Sequence, residues 1–451
     1  MTRKFLSKTY IAAFFLVAVS SVAKAETLQE ALEATYVNNP QIAAALLSVK
    51  ASAEDIAIRK AGKLPSINAS ADLSHSWVAS SGVVSTPVSG SIGLSYSQVL
   101  FDNLRTDAQV EQARAYTEVA SHSLRNSIQN VLLSAATSYL DVVRETKFVQ
   151  LRADNVAFYQ AQVRSAKDRL QIGTGTKTSV AQAETRLAQG IASYKSAINN
   201  LKSAQASYQR WVGHKPQNLS LSYDFAGLLP RSMDDAQNQA DRLHPAILSA
   251  KAQLRAAQSA SDVAKAAFGP TLQLIGNIGG SHSFTTGTTT PSATVKISLN
   301  VPIYQGGAMG ASVRKANLNQ IKSEIDVLNA RDQVRAAVVS SWSGVQNGQA
   351  QIDAARSAVY SSNQVLQGVI EERNVGQKTT LDVLNARAEL TSAREAEISA
   401  TTSKLVASFS LLSASGRLSA SDLGLRVEVR TGAGYAKKVE DVWQDLRALT
   451  N

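Results

Sequence analysis

Apolar residues recur at every seventh position along three long tracts of this chain. The first tract carries Ile128, Ala135, Val142, Val149, Val156, Val163 and Leu170. Two further tracts carry Val180, Leu187, Tyr194, Leu201 and Tyr208, and then Val338, Val345, Ile352, Val359 and Leu366. A seven-residue apolar repeat makes neighbouring α-helices pack as a left-handed coiled coil. These tracts therefore predict long helices that lie side by side.

The positions of the prolines limit how far these helices can run. None of the nine prolines lies between 88 and 215 or after 302, and proline inside a helix costs about 3 kcal/mol. A helix over 103–172, with Asp102 as its N-cap and the turn at Gly173 as its end, would be about 105 Å long. An ordinary helical bundle core is the alternative, and this length argues against it.

Ahead of each long helix, apolar and polar residues alternate with a period of two. The pattern predicts four strands, over 66–77, 88–101, 272–281 and 293–301. Polar loops at 78–87 and 284–292 would join them into two hairpins. Strands with an apolar outer face and a polar inner face are typical of an outer-membrane barrel with a water-filled lumen. Asp72 and Lys296 would then face the lumen.

The number of strands has a consequence for assembly. A half-buried soluble sheet is the alternative, but no helix is left to cover this one, and its edges would be exposed. Membrane barrels need at least about eight strands. One chain with four strands must therefore oligomerise to complete the wall.

The two halves of the chain repeat each other. Pro40 and Lys60 recur 205 residues later as Pro245 and Lys265. After the strands the offset becomes 203, so that Gly173, for example, corresponds to Gly376. A duplication of this length indicates two copies of one structural unit. Each copy carries a strand pair and a helix pair, which indicates a symmetric wall.

Composition places the chain in a compartment and excludes several functions. Residues 1–25 resemble a secretory signal peptide, with a basic start, an apolar stretch and a cleavage pattern before Glu26; an uncleaved anchor is the alternative. The net charge of +11 comes from scattered basic residues with no basic run among aromatics, which argues against nucleic acid binding. No cysteine is present, the histidines are dispersed and no nucleophile motif occurs. We therefore expect no enzyme activity, no metal and no cofactor.

Four segments of the sequence resemble the TolC family of bacterial outer-membrane efflux and secretion ducts. The most specific is Leu299-Asn-Val-Pro-Ile-Tyr-Gln-Gly-Gly307 at the start of a long helix. The others are Asn374-Val-Gly-Gln-Lys-Thr-Thr-Leu-Asp-Val-Leu-Asn385, Leu170-Gln-Ile-Gly-Thr174, and the duplicated Asn39-Pro40 and His244-Pro245. The resemblance covers residues 26–417.

The resemblance implies a mixed α and β fold in a homotrimer. Each protomer would add four strands to a 12-stranded outer-membrane barrel and its helices to a long periplasmic α-barrel. The implied map is 1–25 signal peptide, 26–65 N-terminal helices, 66–101 first β-hairpin, 102–213 first helical hairpin, 214–244 equatorial segment, 245–270 helix of the second repeat, 271–303 second β-hairpin, 304–416 second helical hairpin and 417–451 equatorial C-terminal segment. Within the last segment, Val439, Val442, Trp443 and Leu446 suggest one amphipathic helix.

The resemblance also implies a function and partners. The chain would be the passive outer-membrane exit duct of a tripartite efflux or type I secretion system. A periplasmic adaptor protein and an inner-membrane RND or ABC transporter would open it, and membrane lipid would surround its barrel. The rival hypothesis is a trimeric coiled-coil adhesive surface protein on a small barrel anchor, which predicts no duplicated strand pairs.

By position, the resemblance places the closed entrance and the adaptor-docking surface at the two helix turns. The residues concerned are Gly173, Thr176, Ser179, Arg373, Gly376, Lys378 and Thr379. Asp382 would form a carboxylate ring at the periplasmic constriction, with a raised pKa if it is dehydrated; capping of the returning helix is the alternative role.

This chain departs from the family pattern at the constriction and in the latch. A second aspartate of the ring is replaced by Asn385, and Ser179 and Arg373 stand where relatives have an aspartate and a tyrosine. The salt-bridge latch of relatives therefore cannot be transferred intact, and we expect other pairs to hold the entrance closed.

Overall fold

The computed structural model describes residues 25–80, 82–220 and 225–439. Its helices are α1 Leu28–Asn38, α2 Pro40–Lys60, α3 Arg105–Gln171, α4 Lys177–Val212, α5 Met233–Leu243, α6 Pro245–Ala266, α7 Ala308–Asn374, α8 Thr380–Ala414 and α9 Ala433–Val439. Its strands are β1 Ser66–His75, β2 Val78–Ser80, β3 Val83–Ser85, β4 Val88–Phe101, β5 Thr271–Ser283 and β6 Thr288–Asn300. Of the predicted signal peptide, residues 1–24 lie outside the described residues.

The two longest helices, α3 and α7, have 67 residues each, which corresponds to about 100 Å. Their partners α4 and α8 have 36 and 35 residues. The predicted seven-residue series lies along the packed faces, since every member is buried or half-buried. Within the described part of the chain, no helix is both long enough and apolar enough to span a membrane.

The helices form two layers along the length of the molecule. Near the sheet α2 packs on α3, α3 on α6, and α6 on α7. Towards the opposite end α4 packs on α3, α3 on α8, and α8 on α7. The outermost helices are thus α2 and α7 in the first layer, and α4 and α7 in the second.

The main sheet is antiparallel with the order β1-β4-β5-β6. Its register places apolar residues opposite apolar residues, for example Ala71 opposite Ile92 and Leu94 opposite Ile278. The alternating pattern predicted from the sequence is therefore realised as two faces, one apolar and one polar. Within the described residues β1 and β6 are the two free edges of the sheet.

Residues around the middle of α3 form the largest core. Leu132 and Tyr139 of α3 are packed there with α1, with Phe225, and with Leu418 and Leu425 of the C-terminal segment. The segments between and after the helical hairpins therefore lie against the midpoint of the long helices.

Three local predictions need correction, and a fourth falls mostly outside the described residues. The 78–87 segment is no simple loop, because β2 and β3 pair there as a short ribbon. The loop predicted at 284–292 is shorter, since β5 and β6 pair up to Ser283 and Thr288. The N-cap position of α3 is Leu104, although the Asp102 carboxylate still accepts the Thr106 N–H at 2.8 Å. Of the four residues that predict a C-terminal amphipathic helix, Val439 is the last residue of α9, and Val442, Trp443 and Leu446 lie outside the described residues.

Candidate functional site

The end of the molecule opposite the sheet is formed by two equivalent tight turns. Gly173 joins α3 to α4 with φ 79°, and Gly376 joins α7 to α8 with φ 85°. The N–H of Thr174 donates to the Arg169 carbonyl, and the N–H of Gln377 donates to the Glu372 carbonyl, both at 2.9 Å. Positive φ is tolerated best by glycine, which explains why glycine occurs at both turns.

Each returning helix begins with a threonine cap. The Thr176 hydroxyl accepts the Ser179 N–H at 3.1 Å. Thr379 and Asp382 form a reciprocal capping box, in which the Asp382 carboxylate accepts the Thr379 N–H at 2.8 Å and its hydroxyl at 2.7 Å. Lys378, between Gly376 and this cap, is exposed.

Asp382 therefore has the capping role that the sequence left as an alternative. The hydrogen bonds from the backbone and side chain of Thr379, with a smaller effect of Lys378, lower the pKa of this carboxyl. The raised pKa expected for a dehydrated ring is not a property of the single chain. Asn385, one turn later, accepts a hydrogen bond from Arg186 of α4 at 2.9 Å, so its side chain is directed towards α4.

Above the turns, polar side chains join the first helical hairpin to the second. Arg373 donates to Gln162 at 2.7 Å. The Asn155 amide oxygen accepts from Arg387 at 2.7 Å and from Thr391 at 2.9 Å.

An ion pair lies further from the turns, between Arg152 Nε and Glu395 Oε1 at 2.5 Å. We call these contacts, together with Arg186–Asn385, the hairpin joint.

Three of the four arginines of the hairpin joint, Arg186, Arg373 and Arg387, are held by neutral partners. Burial, and next the nearby Arg169, lower the pKa of Arg373. Burial, and next Arg394, lower the pKa of Arg387, whose guanidinium also lies 4.8 Å from the centre of the Phe158 ring. A desolvated cation without a carboxylate is a weak source of stability. The joint can therefore hold the hairpins together without binding them strongly.

Arg373 and Asn385 were predicted from the sequence as site residues, but their partners Gln162 and Arg186 were not, nor was the Asn155–Arg387 pair. Gln162, Asn155 and Arg387 contact residues more than 200 positions away, and no local pattern reveals such a pairing. One signal was present: Asn155 and Gln162 are seven residues apart on α3, where a coiled-coil seam is normally apolar.

In the sheet, Asp72 and Lys296 lie on the polar face. Asp72 is paired with Ser91, and Lys296 with Ile275. Six strand positions of the register separate their rows, which is about 20 Å. The two charges are thus at different heights on one face.

Comparison with known proteins decides the family. The model of the outer membrane efflux protein family matches residues 28–214 and 237–417. The chain belongs to this family. Its two matched segments coincide with the two sequence repeats. This agrees with the duplicated unit that the sequence predicts.

Individual relatives agree with this membership. The chain is 35% identical to the outer membrane efflux protein BepC of Brucella suis, over 96% of this chain and 94% of the relative. It is 25% identical to the outer membrane protein TolC of Escherichia coli, over 90% and 85%. The crystal structure of the Campylobacter jejuni CmeC outer membrane channel covers 98% of both chains with a TM-score of 0.77 at 16% identity, which shows the shared fold.

Family membership confirms three expectations. The chain is an outer-membrane efflux channel, and it extends from the outer membrane into the periplasm. The sheet is the membrane part and the long helices are the periplasmic part. The rival hypothesis of an adhesive surface protein has no support.

Proposed function

We propose that the protein is the trimeric exit duct of a tripartite efflux or type I secretion system, opened at its periplasmic end by an adaptor and an inner-membrane RND or ABC transporter. The observation that carries this proposal is an open four-stranded sheet that leads directly into helices about 100 Å long. Three such sheets give 12 strands, which suffices for a closed membrane barrel.

Two exposed apolar stripes on the outermost helices support the trimer. Leu318, Ile321, Ile325 and Leu328 of α7 are each more than half exposed, and their spacing of three and four residues is that of a coiled-coil seam. On α2, Leu47 and Ile58 are both 63% exposed. Such stripes are normally covered, and α7 of one protomer can cover α2 of the next when the sheet edges β6 and β1 pair.

The hairpin joint is proposed to keep the entrance closed. It consists of contacts between the first and second hairpins, so the hairpins cannot separate at the turns unless these contacts break. The adaptor would dock on the exposed turn residues, among them Gly173, Gly376 and Lys378. Its binding would supply the free energy that separates the hairpins, since neutral partners hold three of the four arginines weakly.

Export can be tested in a deletion strain. Loss of the gene should raise the accumulation of dyes and drugs or remove proteins from the medium, and a plasmid copy should reverse the change. A strain with unchanged dye accumulation and an unchanged set of secreted proteins would contradict the proposal.

The role of Asp382 needs a test that separates a carboxylate ring from a helix cap. Asp382→Asn keeps a side-chain oxygen for the cap and removes the charge. If three carboxylates line the constriction, the cation selectivity of single channels in planar lipid should fall in Asp382→Asn and in Asp382→Ala alike. Unchanged selectivity in both variants would leave only the capping role.

A further inference from the structure

A polar cavity of about 310 Å³, open to solvent on one side, lies within the hairpin joint. It is bounded by α3, α4 and α8, and the residues that matter for its chemistry are Arg152, Asn155, Tyr159, Arg186, Thr391 and Glu395. Each helix contributes a stripe of side chains about two turns long. The cavity therefore touches both hairpins of the protomer.

The polarity of this layer is unusual for its place in the helix packing. Closer to the turns the same helices meet through an apolar cluster that includes Val163, Ala183 and Leu384. A polar layer between helices is less stabilising than an apolar one unless its groups are all paired. A cavity of this size and polarity also has room for several water molecules or a small solute.

The charge around the cavity is unbalanced. Arg152 and Arg186 line it, whereas Arg387 lies outside the lining and donates to the lining residue Asn155. Glu395 is the carboxylate of the lining, and it is already paired with Arg152. Among the described residues, Arg186 and Arg387 have no carboxylate within 4.0 Å.

Arg387 shows the cost of this imbalance. Its Nε donates to Asn155, and burial followed by Arg394 lowers its pKa, with a smaller opposing effect of Asp154. A half-buried guanidinium favours an anionic partner, because oxyanions match its planar set of donors. The protein itself places a neutral amide there.

We propose that this cavity is a binding site for a small oxyanion, such as sulfate, phosphate or a small carboxylate, held by Arg186 beside the Arg152–Glu395 pair, with the charge of Arg387 behind Asn155 of the same wall. The bound anion would bridge α4 of the first hairpin and α8 of the second. It would therefore stabilise the closed entrance, and adaptor binding would have to release it. This consequence rests on the proposed gating role of the hairpin joint.

Sulfate binding to the purified trimer tests the site without any transport assay. Equilibrium dialysis with radiolabelled sulfate, at an ionic strength held constant with chloride, should show saturable binding of one sulfate per protomer. Arg186→Gln and Arg387→Gln should each weaken binding at least tenfold. Lys202→Gln removes the same charge from an exposed position of α4 and should bind like the wild type.

Two results would overturn the site. One is the absence of saturable binding at roughly 10 mM sulfate, about tenfold above a 1 mM dissociation constant. The other is equal binding by the wild type and by Arg186→Gln. The Arg186 side chain is only half-buried, so the variant should fold, and circular dichroism can verify this.

Single-channel recording tests the effect on the gate. Replacing chloride by sulfate should lower the opening frequency of the wild type several-fold. The same exchange should not change the opening frequency of Arg387→Gln. Sulfate that binds in dialysis but does not change the opening frequency would reject the stabilisation of the closed state. A failure of export in cells would not alter either result, so the two proposals can fail separately.

Discussion

In the hairpin joint, Asn155 is the residue whose side chain accepts two hydrogen bonds from the other hairpin. It is buried, and its one amide oxygen accepts from both Arg387 and Thr391. Because these donors belong to α8 and Asn155 belongs to α3, a change of this oxygen alters the strength of the joint and leaves the rest of each hairpin intact.

Asn155→Asp should tighten the joint. The carboxylate keeps both hydrogen bonds and gives Arg387 the anionic partner that it lacks, and hydrogen bonds between charged groups are about twice as strong as neutral ones. We expect fewer openings of single channels in planar lipid and slower export in cells. Gln160→Glu adds the same charge at an exposed position of α3 and should change neither. More frequent openings of Asn155→Asp would contradict the latch.

His244 should make the stability of the protein depend on pH. Burial, and next Arg125, lower its pKa to about 4, whereas the unfolded chain has an ordinary histidine near 6.5. Between these values the unfolded state binds a proton that the folded state does not. The contribution of His244 to the free energy of unfolding therefore falls as pH decreases from about 6.5 to 4, and it changes no further below that.

The matched variant is His244→Asn. The His244 ring accepts the Ala246 N–H at 3.2 Å as the N-cap of α6, and asparagine is also a good N-cap. Thermal unfolding at pH 7.5 and at pH 5 should show a smaller loss of melting temperature in the variant than in the wild type. An equal loss in both proteins would assign the pH dependence to other groups.

At the scale of the elements, the periodic patterns of the sequence predicted most of the fold. The seven-residue series predicted α3, α4 and α7, and the two-residue alternation predicted the four strands of the main sheet. Both patterns are local in the sequence, because apolar residues recur on the face of a helix or strand that is packed. The β2–β3 ribbon was missed, since residues 78–80 and 83–85 are all exposed and their pattern carries no burial signal. The hairpin joint was missed because its pairs, such as Arg373–Gln162, form between distant parts of the chain.

The turn glycines allow a prediction with an internal control. Gly376→Ala places a Cβ on a residue with φ 85°, where space is free but the backbone conformation is unfavourable. This should cost about 1 kcal/mol of folding free energy. Gly368→Ala, eight residues earlier inside α7 and also without a close neighbour, should instead stabilise by about 0.5–1 kcal/mol. Denaturant unfolding of both variants measures the contrast, and changes of the same sign would contradict the assignment of this turn.

A single protomer leaves both its sheet and its helical layer open at the sides. The sheet ends in two free edges, and the outermost helices α2 and α7 carry apolar stripes on their outer faces. On each side of a protomer, one neighbour must cover the sheet edge and the helix stripe together, because β1 follows α2 and β6 precedes α7 along the chain. Assembly of the barrel and assembly of the periplasmic duct should therefore be one coupled event.

A single charge in the α7 stripe tests this coupling. Ile325 is 53% exposed in the protomer and would be covered in the trimer, so Ile325→Glu would bury an unpaired carboxylate at three equivalent contacts. Purified Ile325→Glu should be monomeric by light scattering in detergent and should form no channels in planar lipid, although the strands are unchanged. Asn319→Glu adds a carboxylate to an exposed position of α7 outside the stripe and should remain trimeric. A trimeric, conducting Ile325→Glu protein would show that the stripe faces the lumen instead, and the sheet edges alone would then have to hold the protomers together.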